Sequence, residues 1–172
     1  MDKRKEKSQK LILDAFMTLL KKKDFDKISM NDIAQLANIN RGTIYLNFMD
    51  KYDILNHVID HTLSEAIEKC ETYKLTPENN PSILQEILYE IDKQYEALKI
   101  LIVKSDLNLL KKLLSDKVLN NLTRLNNEIT AQFLSSAIVG VIIWWIEQSK
   151  PCSINELAEE LTVLLEPYMD NL

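Results

Sequence analysis

Apolar residues recur at helical spacing along most of the chain, and the first third of this pattern predicts three helices. One amphipathic helix is predicted over about residues 5–22. A second helix begins after Ser29, because Ser29 and Asp32 form the pattern of a capping box with the shorter acid in place of glutamate. This helix ends at Asn38, a residue that tolerates left-handed backbone better than most.

A third helix is predicted to start near Arg41, with Asn40 as its N-cap. Two short helices separated by about three residues predict a helix-turn-helix. Gly42 lies in the first turn of the third helix, where a glycine costs roughly 1 kcal/mol relative to alanine. A missing side chain at that place permits close approach of the backbone to a phosphate, which favours DNA binding. The alternative is a three-helix core with an incidental glycine.

Beyond residue 51 the pattern changes to longer helices. The predicted boundaries are a helix to about residue 74, a linker over 75–81, and further helices over 82–104, 106–125 and 126–148. Ser153 and Glu156 predict a capping box at the start of a final helix. The helix over 126–148 is apolar around most of its circumference, so it needs cover on two sides. We expect one cover from its own domain and the other from a second copy of the chain.

Composition supports an all-α fold, since the 172 residues include two glycines and four prolines and 46% of them are apolar. The expected organisation is an N-terminal helix-turn-helix head of three helices joined to a helical body. We place a DNA-binding domain at residues 1–50 and a ligand-binding and dimerisation domain at residues 51–172.

Little in the sequence indicates a membrane, a metal or an enzyme. The longest apolar run, residues 137–146, is about half of the roughly 20 residues that span a bilayer, and the N-terminus lacks an apolar leader. We therefore expect a cytoplasmic protein without a membrane partner. Cys70 and Cys152 are far apart, and His57 and His61 share a helix face without a third ligand. No metal, cofactor or catalytic residue is predicted.

Charge is unevenly distributed along the chain. The net charge is −5, but residues 1–51 hold 11 Lys and Arg against 7 Asp and Glu, whereas residues 52–172 hold 10 against 19. A basic head on an acidic body suits a protein whose one end meets a polyanion. The run KRKEK would also suit a solvated terminus, so charge by itself is weak evidence for DNA binding.

The run ISMNDIAQLANINRGTIYLNFMDKYDIL resembles the DNA-binding head of the TetR family of bacterial transcriptional regulators, and the similarity covers residues 8–60. The positions that carry it are Ile33, Ala34, Gly42, Tyr45, Phe48, Lys51, Ile54 and Leu55. Two positions depart from the family pattern: Asn38 replaces the usual turn glycine, and Asn47 replaces the His or Tyr that commonly precedes the Phe.

The resemblance implies DNA contacts on both helices of the motif: Ser29, Asn31, Asn40, Arg41, Gly42, Thr43, Tyr45, Leu46, Asn47 and Lys51. It also implies an inducer cavity in the body, for which the candidate polar residues are Cys70, Tyr73, Tyr89, Tyr95 and Asn108. The last two helices resemble the dimerisation helices of the family. The expected interface residues are Phe133, Ala137, Val141, Trp144, Trp145, Leu157, Leu161 and Leu164.

The sequence thus predicts a dimeric transcriptional repressor that binds double-stranded operator DNA and is released by a small-molecule inducer. The alternative is a protein of the same fold that acts as an accessory subunit or coactivator through protein partners. A net positive head with Gly42, Tyr45 and Lys51 in place favours the first interpretation.

Overall fold

The computed structural model describes residues 3–72, 80–121 and 127–171, and within these ranges the chain forms nine α-helices and no strand. The all-α prediction is therefore confirmed. The helices are α1 Lys3–Leu20, α2 Met30–Leu36, α3 Arg41–Asn47, α4 Lys51–Thr72, α5 Asn80–Lys93, α6 Tyr95–Lys104, α7 Leu107–Asn121, α8 Glu128–Glu147 and α9 Ile154–Leu165. Short 3₁₀ segments lie at Phe25–Lys27 and Glu166–Asn171.

The single helix predicted over 82–104 was wrong, because a turn at Gln94 divides it into α5 and α6. The amide of Gln94 donates to the carbonyl of Ile91 at 3.0 Å, a bond three residues back that closes the end of α5. Leu98 then donates to the carbonyl of Gln94 at 2.9 Å, which begins α6. Apolar residues continue on both sides of Gln94, so the periodicity carried no sign of the break.

Local hydrogen bonds fix the helix ends as the sequence predicted. The Ser29 side chain accepts from the amide of Asp32 while the Asp32 carboxylate accepts from the amide of Ser29, which completes the capping box. Asn38 adopts a left-handed φ of 53°. Asn40 caps α3 by accepting from the amide of Gly42 at 2.8 Å. Ser153 and Glu156 form the second predicted capping box, at the start of α9.

The first three helices share one core. Ile12, Phe16 and Leu20 are fully buried on α1, and α1 packs against α2, α3 and α4. Ile33 of α2 and Ile44 of α3 are fully buried in the same cluster. Burial of one such side chain contributes on the order of 2 kcal/mol, so these contacts hold α2 and α3 against α1 and against each other.

Two helices of the body reach the N-terminal head. α4 begins directly after the third helix and packs against α1, α5 and α7, and α6 packs against α1 and α8. Lys104 at the end of α6 forms an ion pair with Asp24, at 3.2 Å, in the connection between α1 and α2. Lys104 and Lys27 both hold the pKa of the Asp24 carboxyl below its usual value. The body therefore touches the head from two sides.

α8 is the most apolar helix of the described residues. It is long and apolar enough to cross a bilayer by length and composition, although the sequence run at 137–146 suggested a shorter apolar stretch. Within the protomer, 39% of the most apolar 18-residue stretch of this helix is buried. α8 packs against α6 and α7, while Ile129, Phe133 and Trp144 on it remain exposed.

Candidate nucleic-acid interface

The inner face of α3 holds it in the head. Ile44 is fully buried, and Phe48, which ends the helix, is 1% exposed and packs its ring edge-on against His57 at 5.0 Å between centroids. The outer face carries Arg41, Tyr45 and Leu46, all exposed. Two short helices, α2 and α3, are packed in one core, and one face of α3 is left open. This arrangement defines a helix-turn-helix DNA-binding protein.

Gly42 lies on this open face. A Cβ built on it would meet, among the described residues, the Oδ1 of Asn40 at 3.5 Å, which is an ordinary contact distance. Its φ does not lie in the left-handed region that favours glycine. A Cβ is therefore accommodated here, and nothing among the described residues of the protomer requires glycine at this position.

Arg41 and Tyr45 form one polar group on the outer face. The Arg41 guanidinium lies 5.7 Å from the centroid of the Tyr45 ring, one helical turn away. A guanidinium held over an aromatic ring keeps its donors free for a phosphate or a guanine edge. Both residues are among the predicted DNA contacts, and both are exposed in the protomer.

The expected DNA contact of Asn47 needs correction. Its Nδ2 donates to the carbonyl of Thr43 at 2.8 Å, and its Oδ1 is buried without a hydrogen-bond partner among the described residues. An amide reads adenine with its oxygen and nitrogen together. Asn47 in this conformation has neither group turned to solvent, and Thr43 is itself half-buried.

Lys51 lies at the start of α4 and is bound to the protein's own backbone. Its ammonium donates to the carbonyls of Phe25 at 3.1 Å and Asp26 at 3.2 Å, and it lies 4.5 Å above the centroid of the Phe25 ring. An ammonium has three donors, so these two bonds leave one N–H for a phosphate. Lys51 thus has a structural role that the sequence pattern did not reveal.

Ser29 and Asn31 are exposed at the start of α2. The Ser29 hydroxyl donates to the Asp32 carboxylate at 2.7 Å and is therefore engaged in the cap. Lys23 donates to the same carboxylate, with N···O at 2.9 Å. The pKa of Asp32 is lowered to about 2, mainly by the hydrogen bond from Lys23 and next by the hydrogen bonds from Ser29. The cap is thus an ionised, charge-assisted one at neutral pH.

Two exposed residues beside α3 were not predicted from the sequence. Met49 is 79% exposed directly after the helix, and the Tyr52 ring packs edge-on against Phe25 at 5.1 Å while remaining half-exposed. The sequence signal for them is an apolar side chain at a position that does not fit the helical spacing of the buried apolar residues. Leu46, which was predicted, is 82% exposed, more than any other large apolar residue of the described part of the chain.

The expected dimer-interface residues divide into two groups. Phe133, Ala137, Trp144 and Leu164 are exposed, and Val141 is half-buried. Trp145, Leu157 and Leu161 are buried inside the protomer, which corrects their assignment. The indole N–H of Trp145 donates to the carbonyl of Cys152 at 2.9 Å, so this ring anchors the turn before α9. Ile129 and Val163 are also exposed, on α8 and α9, and were not among the expected interface residues.

The predicted inducer residues do not form one group in the described structure. Tyr89 and Asn108 are exposed, so they are not walls of an enclosed cavity in the protomer. Tyr95 is half-buried, and Lys99 donates to its hydroxyl at 3.3 Å. Tyr73 and the side chain of Cys70 lie outside the described residues.

Comparison with known proteins gives the same class as the geometry. Residues 12–58 match the family described as "Bacterial regulatory proteins, tetR family", and residues 78–167 match the one described as "Transcriptional regulator C-terminal region". The second match alone covers more than half of the chain. The chain belongs to the TetR family of bacterial transcriptional regulators.

Among its relatives, the uncharacterised HTH-type regulator YxbF of Bacillus subtilis is 34% identical over 65 residues, 38% of this chain and 17% of YxbF. DhaS of Lactococcus lactis, described as a transcriptional activator of the dhaKLM operon, is 28% identical over 100 residues, 52% of each chain. The chain thus spans about half or less of the length of these relatives. A TetR regulator structure from Streptococcus agalactiae superposes with a TM-score of 0.67 at 21% identity, covering 95% of this chain and 96% of that one.

Proposed function

We propose that this TetR-type regulator is a dimeric repressor whose α3 helices enter the major groove of a two-fold symmetric operator. The observation that carries the proposal is the open face of α3, where Gly42 is exposed and a Cβ on it would clash with no described residue. A glycine that the fold does not need is explained by an external surface that approaches the backbone. The basic segment 1–51 supports DNA as that surface.

The exposed face of α8 supports dimerisation. Ile129, Phe133, Ala137, Gly140 and Trp144 are exposed at intervals of three or four residues and so form one stripe. A Cβ on Gly140 would have no heavy atom of the described residues within 4 Å, so another helix can approach closely. A shallow depression at Ile129 and Phe133 offers a place for apolar side chains of a partner. We propose that a second copy, and not a bilayer, covers this stripe in the cytoplasm.

The proposed domains are residues 1–50 for DNA and residues 51–172 for dimerisation and an inducer. Contacts of α4 and α6 with α1 support communication between them, since a shift of either helix in the body moves the head. The ion pair of Lys104 with Asp24 adds a contact at the connection that precedes α2. Binding of an inducer to the body would then change the spacing of the two α3 helices.

The test is a selection of binding sites from randomised double-stranded DNA by the full-length protein. We expect enrichment of an inverted repeat with half-sites about one helical turn apart or somewhat more. Failure to enrich any sequence at low salt would contradict the proposal. Thermal-shift screening with small lipophilic and cationic compounds then tests for an inducer, because a ligand of the folded state raises its melting temperature.

Activation is the second candidate, and the 28% identity to DhaS, described as an activator, favours considering it. A repressor blocks RNA polymerase by occupying its site, whereas an activator or accessory subunit needs a further protein contact. A reporter gene placed behind the selected site separates the two outcomes. We expect the reporter signal to fall when the protein is produced, and a rise would assign activation.

A further inference from the structure

We propose that Leu46 selects a thymine in each operator half-site by packing against the 5-methyl group of the base. This inference rests on the proposed function, namely that the outer face of α3 lies in the major groove. It specifies one feature of the DNA that the protein prefers and the side chain that reads it.

Leu46 has the geometry of a reading side chain. At 3.6 residues per turn it lies about 160° around α3 from the buried Ile44 and the same angle from Phe48. It therefore points away from the head, and 82% of its surface is exposed. A large exposed aliphatic side chain on the outer face of α3 contributes little core packing to the protomer, so its apolar surface is available to a ligand.

Two polar side chains that could read a base near Leu46, those of Asn47 and Asn40, are already engaged within the protomer. The amide of Asn47 bonds to the carbonyl of Thr43 and hides its oxygen, and the amide oxygen of Asn40 caps α3. Arg41 lies at the N-terminal end of the helix beside the Tyr45 ring. The C-terminal half of the outer face of α3 thus presents the apolar side chain of Leu46.

The chemistry of the major groove then favours one base. Thymine alone presents a methyl group there, whereas the other bases present hydrogen-bond donors or acceptors. Leucine has no group to satisfy a donor or acceptor, and covering one without a partner is unfavourable. Burying one methyl group contributes about 0.8 kcal/mol, which corresponds to roughly a fourfold change in affinity per half-site.

The experiment uses the full-length protein and the site that it enriches from randomised DNA. Each thymine of the selected half-site is replaced in turn by deoxyuridine, which removes the methyl group and keeps the base pair. We expect one thymine position to respond. Deoxyuridine at that position should weaken binding roughly fourfold when one half-site is replaced and about fifteenfold when both half-sites are replaced. In Leu46→Ala the same replacement should have no effect, so the two changes are coupled.

Two controls keep the assignment specific. Leu46→Ala should fold as wild type, since the side chain is exposed and alanine is a better helix former; circular dichroism and melting temperature check this. Met49→Ala removes a neighbouring side chain of similar exposure, 79%, that lies beyond the end of α3. We expect Met49→Ala to retain the deoxyuridine effect.

The outcomes separate the inference from the function. If a site is enriched but deoxyuridine is neutral at every thymine, the inference is wrong and DNA binding stands. An effect that persists in Leu46→Ala, or that disappears in Met49→Ala, would assign the methyl group to another side chain and overturn the inference. Failure to enrich any site would overturn the proposed function and the inference with it.

Discussion

The ammonium of Lys51 donates a hydrogen bond to the carbonyl of Phe25 at 3.1 Å and lies 4.5 Å above the centroid of the same residue's ring. The two residues join the start of α4 to the connection between α1 and α2. Lys51 is part of the sequence pattern of the DNA-binding head, where a lysine is naturally read as a phosphate contact. Its position shows that it also holds the head together.

Replacing Lys51 by methionine should therefore destabilise the protein. Methionine keeps most of the aliphatic stem but leaves the carbonyls of Phe25 and Asp26 without their charged donor. Hydrogen bonds to a charged group are worth about 2 kcal/mol, and we expect a loss of that order in the free energy of unfolding. Urea denaturation measures it, with the exposed Lys22→Met as the matched control. Unchanged stability together with weaker DNA binding would show that Lys51 contacts a phosphate and does not stabilise the fold.

The capping box at the start of α2 should make stability depend on pH. Asp32 has a pKa of about 2 in the folded protein, against an ordinary value of 3.8 for an aspartate side chain. A lowered pKa means that the carboxylate stabilises the fold above about pH 4 and that this contribution is lost as the pH falls toward 2. The Asp32 side chain is 36% exposed, so solvent screening limits the effect to about 1 kcal/mol.

Asp32→Asn should accordingly be less stable than wild type by about 1 kcal/mol at pH 7, with the difference shrinking as the pH approaches 2. Thermal unfolding at a series of pH values checks this. A difference between the two proteins that stays constant from pH 7 to pH 2 would show that the carboxylate charge contributes nothing.

The exposed stripe of α8 predicts how the dimer can be separated. Phe133 is 59% exposed in the protomer, so Phe133→Asp should fold normally and place an unpaired charge in the proposed interface. A buried unpaired charge costs several kcal/mol, which weakens association by about 100-fold or more. Sedimentation should show a folded monomer, whereas Val103→Asp, at a 64% exposed position on α6, should remain a dimer. A dimeric Phe133→Asp would place the interface elsewhere.

Operator binding should depend steeply on salt, because each phosphate that a cation neutralises releases counterions. Arg41→Ala should lower affinity for all DNA sequences. It should also make the slope of log binding constant against log salt concentration less steep by about 1 for each subunit. Fluorescence anisotropy at several salt concentrations gives the slope. If Arg41→Ala instead changes the preferred sequence and leaves the slope intact, Arg41 contacts a base edge and not a phosphate.

Local features of the fold were predictable from sequence. Each helix cap depends on a bond between residues at most three positions apart, as for Ser29 with Asp32 and Asn40 with Gly42. The structure confirms both caps and the left-handed backbone at Asn38. The long apolar helix was also predictable, but its orientation was not. Trp144 and Trp145 lie on adjacent stripes that are both apolar, so periodicity does not tell which one faces the protomer's own core.

Long-range and rotamer-dependent features could not be predicted. The partner of Lys51 lies 26 residues earlier in the chain, and the bond follows from how α4 packs against the head. Asn47 turns its amide back to Thr43, a choice of side-chain conformation that no spacing rule specifies. The same limit applies to Tyr89 and Asn108, whose exposure depends on how the helices of the body pack.

The central claim is that the outer face of α3 is the DNA-binding surface, and the substitution Gly42→Leu tests it most directly. Gly42 is exposed and a Cβ on it would meet no described heavy atom closer than 3.5 Å, so the variant should match wild type in circular dichroism, melting temperature and dimerisation. Its affinity for the selected operator, measured by anisotropy, should fall by at least about 100-fold, because the leucine obstructs approach of the backbone to DNA. Gly42→Ala and Tyr45→Ala should lose less. A folded, dimeric Gly42→Leu that binds the operator as wild type does would contradict the account.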